Sequence, residues 1–361
     1  MAADIVIEAP KLVAAIQAIV AKGGSNARES KLVAENLVEA NLKGHDSHGV
    51  GMIPRYILSL VEGGLSVNQA PRIVLDTGPL LRLDGQAGYG QVIGHDTMRL
   101  ANERAKKHGL CAVGLHNAHH IGRIGAWAEM AVAEGLVSMH FVNVVSRPIV
   151  AAWGGGDARF GTNPICIGVP RKGRDPIVLD FATSRIAQGK TRVAHNKGVK
   201  LPPGTIIDNE GRSTTDPRYT VVPPFGAILT FGEHKGYGLA MIAELLGGAL
   251  TGGATMRKAY DGPNKGVYNG MLTIVLDPEK LGTSEHFQQE IDAFTGWVQS
   301  GPVAQGFDKV RLAGDPEREW KAKRLKEGIP VDPTTWGDIL ASAEKVGLSR
   351  TEVQRIAGVA A

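Results

Sequence analysis

The sequence contains little cysteine and no long apolar run. Its two cysteines, Cys111 and Cys166, both lie in apolar stretches that are typical of strands. We therefore expect buried, reduced thiols and a reducing compartment, and no disulfide framework. No run reaches the roughly 18 apolar residues of a membrane span. Residues 1–5 do not begin the pattern of a secretory signal peptide, a basic segment followed by an apolar one. The sequence predicts a cytoplasmic protein with no membrane partner.

The chain also lacks a large excess of charge of either sign. It carries 40 Lys and Arg against 36 Asp and Glu, a formal net charge of +4. These basic residues are scattered, and the densest run, 321–326, has the spacing of the polar face of a helix. A nucleic-acid-binding surface needs stronger clustering of positive charge. We therefore predict no nucleic-acid partner.

Glycine is abundant, with 47 of the 361 residues, and it is spread without a period. This excludes collagen-like and low-complexity chains and indicates many tight turns. A hydrophobic content of 43% and a charged content of 21% are typical of a globular protein. The length indicates two domains or one large α/β unit.

The apolar pattern divides the chain into three parts. In residues 1 to about 70 the pattern predicts three helices. The first spans 10–22, the second follows a capping box at 26–29, and the third spans 54–61. From about 72 to 280 the pattern predicts strands at 73–75, 80–83, 110–115, 137–142, 165–169 and 177–180, helices at 92–108, 124–134 and 236–250, and a loop or hairpin at 202–224. Helices return at 285–299, 317–326, 334–346 and after a capping box at 349–352. We predict a mixed α/β fold with a sheet domain, 76–283, and a helical domain built from both termini, 1–75 with 284–361.

Histidines are concentrated in two short stretches that hold five of the eleven, His45, His48, His116, His119 and His120. The second stretch lies between a predicted strand and a predicted helix, a common position for chemistry. Histidine suits general acid/base catalysis because its ordinary pKa lies near neutral pH. We select His120, because the positive end of the following helix favours a neutral imidazole. Ser47 and His48 could bond a substrate oxygen or a cofactor; the alternative for each histidine is a residue held by backbone carbonyls.

Two other site chemistries use the same residues. His45/His48 and His116/His119/His120 have spacings that could ligate zinc in a hydrolase or lyase. However, no cysteine is near, Asp46 is the one neighbouring carboxylate, and there is no His-Glu-x-x-His motif. A Ser-His-Asp hydrolase is disfavoured because Ser47 is not in a Gly-x-Ser-x-Gly elbow, and we do not expect the His48 ring to reach its neighbour's hydroxyl.

A Rossmann dinucleotide fingerprint is not supported. The nearest match, Gly88 to Gly94, has one residue too many, and no strand ending in an acidic residue follows at the required distance. Two other stretches could bind phosphate or ribose. Residues 179–184 form the end of a predicted strand and carry hydroxyl groups; the alternative is that these hydroxyls cap a helix. His234 and Lys235 lie at the start of a predicted apolar helix; the alternative is that they belong to a solvated loop.

Five motifs in order resemble the malate/L-lactate dehydrogenase family of NAD(P)-dependent 2-hydroxyacid oxidoreductases, which lack a Rossmann fold. They lie at 46–50, 116–122, 161–164, 179–184 and 233–238, and the likeness covers essentially the whole chain. Residues 44–54 and 119–125 are most similar to the hydroxycarboxylate dehydrogenase branch. The resemblance implies a non-Rossmann, sheet-containing cofactor domain beside a helical domain made from both termini. It also implies a homodimer acting on a small 2-oxo or 2-hydroxy acid with NAD or NADP, and no metal.

The resemblance also implies residue roles. His120 matches the acid/base histidine, Ser47 and His48 line the active site, and His48 also touches the cofactor. The further implied cofactor contacts are Gly122, Arg123, Ile124, Val178, Leu179, Asp180, Phe181, Ala182, Thr183, Ser184, His234, Lys235, Asn269, Gly270, Ala313, Gly314, Asp315 and Pro316. We favour NAD because Asp180 could accept bonds from ribose hydroxyls.

One departure from the family pattern concerns the substrate. Many members carry an arginine four residues after the active-site histidine, suited to a bidentate bond with the substrate carboxylate; here that residue is Met52. Arg55, Arg123 or Arg147 could take over, with Tyr56 as a further substrate contact, or Ser47, His48 and backbone donors could suffice. An apolar residue at this point predicts a bulkier, less polar 2-oxo acid than oxaloacetate. A catalytically silent NAD-binding protein is a further alternative.

Overall fold

The computed structural model describes residues 3–257 and 265–360. Helices from both ends of this range share one hydrophobic core, in which Leu12, Leu37 and Ile339 are fully buried. The helices are α1 (Ala9–Lys22), α2 (Ala27–Leu42), α3 (Ile53–Val61), α11 (Pro333–Lys345) and α12 (Arg350–Ala357). Strand β1 (Ile5–Ile7) pairs antiparallel with β14 (Ile329–Val331), so the two ends of the described chain are also joined through backbone bonds.

The helix boundaries follow the local sequence. The side chain of Asn26 accepts a bond from the backbone N–H of Glu29 at the start of α2, at 2.9 Å. The side chain of Ser349 caps α12 by accepting a bond from the N–H of Glu352. Each such cap satisfies an N–H group that a helix end otherwise leaves open, and contributes about 1 kcal/mol. The N-cap half of each predicted capping box is confirmed, whereas the Glu29 carboxylate accepts bonds from Ser25 and Asn68 and not from the N–H of Asn26.

The main sheet has seven strands, β2 (Arg72–Asp76), β3 (Leu80–Asp84), β4 (Leu110–His119), β5 (Val137–Val145), β8 (Ile165–Val169), β9 (Ile177–Phe181) and β13 (Tyr268–Leu276). Their order in the sheet is β2-β3-β4-β13-β5-β8-β9. Within the described sheet β3 and β4 are parallel and the other pairs are antiparallel, unlike the parallel sheet of a Rossmann domain. Helices α4 (Gly90–His108) and α5 (Gly125–Ala133) pack on it, and Cys111 and Cys166 lie buried and free in its core.

The strands of a second, smaller sheet are β6 (Val150–Ala151), β7 (Ala158–Phe160), β10 (Ile206–Ile207), β11 (Ser213–Thr214) and β12 (Ala227–Ile228). Their order in the sheet is β11-β10-β12-β6-β7. The predicted excursion at 202–224 thus contains a hairpin, β10 with β11. The remaining helices are α6 (Gln188–Asn196), α7 (Arg218–Val221), α8 (His234–Ala243), which continues as a π-helical turn (Glu244–Ala249), α9 (Ser284–Gln299) and α10 (Asp315–Glu327). No helix in the described ranges is long and apolar enough to cross a membrane.

The last long helices contact different parts of the molecule. On α9, Asp292 and Thr295 bond to Arg171 in the β8–β9 turn, at 3.3 Å and 3.1 Å. On α10, Lys321 pairs with Glu39 of α2 at 2.7 Å. The mixed α/β class is confirmed, whereas the domain boundaries at 75/76 and 283/284 stay a prediction.

Candidate active site

The His45–His48 segment is a tight turn fixed from two sides. After α2 the chain forms a 3₁₀ turn, Asp46–His48, and then a second one, Val50–Met52. The Asn41 side chain accepts a bond from the N–H of Val50 at 2.8 Å and donates to Asp46 at 2.7 Å. Arg324 of α10 also pairs with Asp46, at 2.6 Å and 3.0 Å. Asp46 therefore holds the turn in place, and the side chains of Ser47 and His48 do not take part in these bonds.

The second histidine segment lies at the end of β4. The strand runs to His119, four residues further than predicted, so His116 and His119 belong to the strand and His120 follows it. The N–H of His119 bonds to the carbonyl oxygen of Gly88 at 3.0 Å, and the N–H of Ile121 bonds to the side-chain oxygen of Asn269 at 2.9 Å. These bonds fix the backbone on both sides of His120.

The structure brings Ser47, His48, Tyr56 and His120 together. The rings of His48 and His120 are stacked, with centroids 5.6 Å apart and 15° between their planes. Nδ1 of His120 lies 2.7 Å from the Tyr56 hydroxyl, and Nδ1 of His48 lies 3.0 Å from Ser47 Oγ. Our expectation that His48 could not reach its neighbour's hydroxyl is wrong, because the 3₁₀ turn curls the two side chains toward each other. No carboxylate bonds to His48 within the described ranges, so a Ser-His-Asp triad is not formed there.

Burial keeps the site histidines neutral. It lowers the pKa of His48 to about 4, helped by the nearby charges of His45 and Arg123. It also lowers the pKa of His120 well below its ordinary value, with further contributions from His48 and His119. The predicted neutral state of His120 therefore has burial as its main cause, and the α5 N-terminus begins five residues later, at Gly125. Burial likewise raises the pKa of Tyr56, so its hydroxyl stays protonated.

Because these histidines are buried, we expect the free energy of unfolding to fall in acid. The folded-state pKa is about 4 for His48 and about 3 for His119 and His140, against an ordinary 6.5. Below pH 6.5 the unfolded chain binds protons that the folded chain does not, so the free energy of unfolding falls as pH drops toward 4, by about 1.4 kcal/mol per pH unit for each histidine. Urea unfolding between pH 7 and pH 4 measures this slope. A stability that does not change over this range would contradict the assignment.

Of the three arginines considered for the substrate carboxylate, Arg55 has the most suitable surroundings. It is half-buried on α3, and its charge contributes to the lowered pKa of His119. It has no hydrogen-bond or ion-pair partner in the ranges 3–257 and 265–360. In contrast, the Arg147 guanidinium stacks on Phe225 at 3.8 Å and bonds to the carbonyl oxygen of Thr220. Met52 packs against the helical core.

A cleft of about 250 Å³ lies between the α2/α10 helices and the edge of the main sheet. Four of the predicted cofactor residues line it, Arg123, Val178, Asp180 and Gly314, and the residues that sequence reasoning missed are Lys43, Glu129, Pro176, Glu317, Arg318 and Lys321. Glu317, Arg318 and Lys321 lie on α10, and the other three come from the end of α2, from α5 and from the loop before β9. No local motif marks them.

Arg123 organises this cleft. It is 3% exposed and pairs with Glu129 at 2.6 Å and with Asp180 at 3.5 Å. The same Asp180 oxygen accepts a bond from the N–H of Gly125 at 2.8 Å. Burial raises the pKa of Asp180 in spite of the neighbouring Arg123. Because Arg123 lies three residues after His120, the β4–α5 turn connects the cleft to the histidine site.

Several predicted cofactor residues bond within the protein. Thr183 donates to the carbonyl oxygen of Thr162 at 2.9 Å, and Ser184 to that of Ile186 at 3.0 Å, so neither caps a helix. Asn269 donates to the carbonyl oxygen of Asn143 at 2.8 Å, and the N–H of Gly270 bonds to the Asn143 side chain at 2.9 Å. These two residues support the sheet under the site.

The other predicted positions do not line the cleft. Ile124 is buried in the sheet core, and Gly122 has a φ of +72°, which favours glycine. Leu179 is exposed, Ala182 is half-buried, and Phe181 packs edge-on against Phe231, with ring centroids 5.6 Å apart. Ala313 accepts a bond from the N–H of Val178, while Asp315 and Pro316 form the first turn of α10. His234 and Lys235 are exposed on the first turn of α8 and do not line the cleft.

The zinc alternative requires nitrogens from the two histidine clusters to converge on one point. Instead, His45 bonds to Glu317 at 3.1 Å and His120 to Tyr56. Over residues 3–257 and 265–360, no group of three His, Cys, Asp or Glu side chains is arranged to hold a metal ion. We find no observation that favours a hydrolase or lyase.

Comparison with known proteins agrees with this geometry. The sequence model of the family described as malate/L-lactate dehydrogenase matches residues 7–340. The chain is 46% identical over 341 residues to hydroxycarboxylate dehydrogenase B of Escherichia coli (strain K12), covering 94% of each chain. It is 40% identical to an L-lactate dehydrogenase of Cupriavidus necator, covering 88% of this chain and 91% of that one. The solved sulfolactate dehydrogenase of Methanocaldococcus jannaschii superposes with a TM-score of 0.85 at 30% identity, covering 96% of this chain and 99% of that one.

The fold and these relatives define a hydroxy-acid oxidoreductase. The chain belongs to the malate/L-lactate dehydrogenase family. The resemblance drawn from the five motifs is therefore confirmed.

Proposed function

We propose that this protein is an NAD(P)-dependent 2-hydroxyacid dehydrogenase that interconverts a 2-hydroxy acid and a 2-oxo acid. One observation carries the proposal. Tyr56 holds one ring nitrogen of His120, while the opposite nitrogen, Nε2, has no hydrogen-bond partner among the described residues. A neutral imidazole with one nitrogen fixed and the other open is suited to proton transfer.

In the oxidation direction, Nε2 of His120 accepts the proton of the substrate 2-hydroxyl group. In the reduction direction, the same atom returns the proton to the 2-oxo oxygen. Ser47 and His48, which bond to each other, orient that oxygen. The nicotinamide ring, when bound, accepts or supplies the hydride at C2 of the substrate. The proton and the hydride together account for the two hydrogens that a 2-hydroxy acid loses.

The cleft beside Arg123 fits part of a dinucleotide. Its volume, about 250 Å³, is a little below the roughly 300–1,000 Å³ of pockets for whole small molecules. Asp180 uses one carboxylate oxygen for Gly125 and Arg123, and its other oxygen, which has no partner in the described ranges, can accept a ribose hydroxyl. Lys43, Arg123 and Lys321 are already ion-paired with glutamates. This supports NAD over NADP, because none of these three cations is left unpaired to bind the 2′-phosphate that distinguishes NADP from NAD.

Arg55 is our candidate for holding the substrate carboxylate. A guanidinium group binds a carboxylate through two parallel hydrogen bonds, which fixes both position and orientation. Arg55 is half-buried, close enough to lower the pKa of His119, and has no carboxylate partner in the described ranges. Arg123 and Arg147 are engaged by protein groups. Tyr56, one position further on α3, contacts His120 and completes this side of the site.

A panel of 2-oxo acids with NADH and with NADPH tests the function, followed by the loss of reduced-cofactor absorbance. We expect turnover with NADH, and a higher kcat/KM for an aromatic or branched 2-oxo acid than for oxaloacetate, because Met52 replaces a positively charged residue. The opposite ranking would contradict the substrate preference. No turnover with any acid and either cofactor would overturn the function and favour a silent NAD-binding protein. The homodimer and the cytoplasmic location stay predictions.

A further inference from the structure

The stretch that fails as a dinucleotide fingerprint lies directly beneath His120. Helix α4 begins at Gly90, and a Cβ atom there would collide with the carbonyl oxygens of His119 and His120. The absence of that atom lets the first turn of α4 approach the end of β4. The second residue of the helix, Gln91, is thereby brought under the active site, where it is 1% exposed.

Gln91 bonds to the group that holds the acid/base histidine. Its Nε2 atom donates to the Tyr56 hydroxyl at 2.7 Å, and the same hydroxyl lies 2.7 Å from Nδ1 of His120. Tyr56 is fully buried, so neither bond is exchanged for water. A buried polar group that loses its partner is destabilised, so these two hydrogen bonds hold the three side chains together as a unit.

We propose that Gln91 is a positioning residue: its amide holds the Tyr56 hydroxyl oxygen against Nδ1 of His120 and so keeps Nε2 directed at the substrate. The proposal rests on the proposed function, because it assigns Gln91 to the proton transfer at His120. Gln91 itself touches neither the substrate nor the reacting atoms.

Counting hydrogen atoms explains why an amide suits this position. The tyrosine hydroxyl has one hydrogen and two acceptor sites, and Gln91 occupies one of those sites. In the neutral ring, Nδ1 of His120 carries the proton and donates it to the remaining acceptor site, which leaves Nε2 free to accept the proton of the substrate hydroxyl. Nδ1 keeps its proton when Nε2 is protonated, so the Tyr56 oxygen accepts from His120 while Nε2 takes up the proton and while Nε2 returns it. The bond from Gln91 is kept in both states.

The groups that face His120 are few. His48 is stacked on it from the 3₁₀ turn, His119 precedes it on the strand, and Tyr56 contacts it from α3. Arg55 and Tyr268 face His119. From α4, Gln91 is the residue whose side chain contacts the Tyr56 hydroxyl in the described structure. A carboxylate in place of its amide would be separated from His120 only by the Tyr56 hydroxyl, and an opposite charge this close raises the pKa of a histidine by about one unit or more.

Three variants of the full-length chain test the proposal: Gln91→Leu, Gln91→Glu and, as a control, Thr97→Val, which alters a fully buried hydroxyl on the same helix. We expect Gln91→Leu to lower kcat by about 10- to 100-fold, with the Kd for NADH, measured by fluorescence, changed by less than about threefold. Gln91→Glu keeps the shape of the side chain, so it should retain more activity and raise the midpoint of the kcat–pH profile by about one pH unit. Thr97→Val should behave like the wild type. Wild-type kcat and an unshifted midpoint in both Gln91 variants would overturn the proposal.

A measurement without turnover separates this proposal from the function on which it rests. The ring-nitrogen NMR signals of His120, assigned by their loss in His120→Ala, are titrated in the wild type and in Gln91→Glu. An upward shift of the His120 titration in the variant supports the contact through Tyr56 even if no 2-oxo acid is reduced. An unchanged titration overturns it even if the wild type is an active dehydrogenase. Because Gln91→Glu is nearly isosteric, the test does not depend on Gln91→Leu folding.

Discussion

Replacement of His120 by alanine is expected to lower kcat by about 10²- to 10⁴-fold, the usual contribution of a positioned proton-transfer group. The physical reason is that Nε2 of His120 is the open ring nitrogen of the stacked histidine pair, with Nδ1 fixed by Tyr56. NADH binding should persist, because the cleft beside Arg123 is lined by other residues. Steady-state kinetics and NADH fluorescence measure the two effects separately.

His116→Gln is the matched control for this prediction. His116 belongs to the same histidine cluster but lies within β4, four residues before His120, and pairs in register with Asp84 of β3. Its replacement should leave kcat within about threefold of the wild type. A loss of less than about tenfold in His120→Ala, or an equal loss in His116→Gln, would contradict the assignment of His120.

Arg55→Met is expected to lower kcat/KM for the 2-oxo acid by about 10- to 100-fold, since a hydrogen bond to a charged group contributes about 1.5–3 kcal/mol. Methionine keeps the unbranched apolar stem but removes the guanidinium group that would bind the carboxylate. The Kd for NADH should stay unchanged, because Arg55 does not line the cleft beside Arg123, where we propose that the cofactor binds. The loss should be smaller for a neutral ester of the same acid, which has no carboxylate to bind.

Arg147→Met is the matched control for the carboxylate assignment. Its guanidinium group is held by Phe225 and Thr220, so we expect a change in kcat/KM of less than about threefold. A large loss in Arg147→Met together with none in Arg55→Met would transfer the carboxylate site to Arg147.

Sequence reasoning predicts the elements that carry strong local signals. The capped helices α2 and α12 and the apolar strands β5, β8 and β9 are found where they were predicted. Strand β13, which lies at the centre of the main sheet, was missed, because it begins with Tyr268-Asn269-Gly270 and the Asn-Gly pair is typical of a turn. The strands β1, β6 and β14 have two or three residues, too few to show a period.

The candidate site likewise has residues with a local sequence signal and residues that only folding brings into place. Ser47, His48 and His120 lie in compact motifs and could be selected from the sequence. The contacts that give them their properties join distant segments: Tyr56 and His120 are 64 positions apart, and Ile121 and Asn269 are 148 apart. Gln91 and Lys43 carry no local signal for their positions, because folding alone brings them under His120 and into the cleft. Burial, which controls the histidine pKa values, is likewise a property of the folded chain.

The proposed function requires that hydride passes between a nicotinamide and C2 of a hydroxy acid while His120 transfers the proton. Its most direct test uses NADH carrying deuterium at the transferring C4 position, together with the best 2-oxo acid from the panel, and mass spectrometry of the product. We predict a 2-hydroxy acid heavier by about one mass unit, with the deuterium on C2, and about 10²- to 10⁴-fold slower labelling by His120→Ala. A product without deuterium, or no product from any 2-oxo acid, would contradict it.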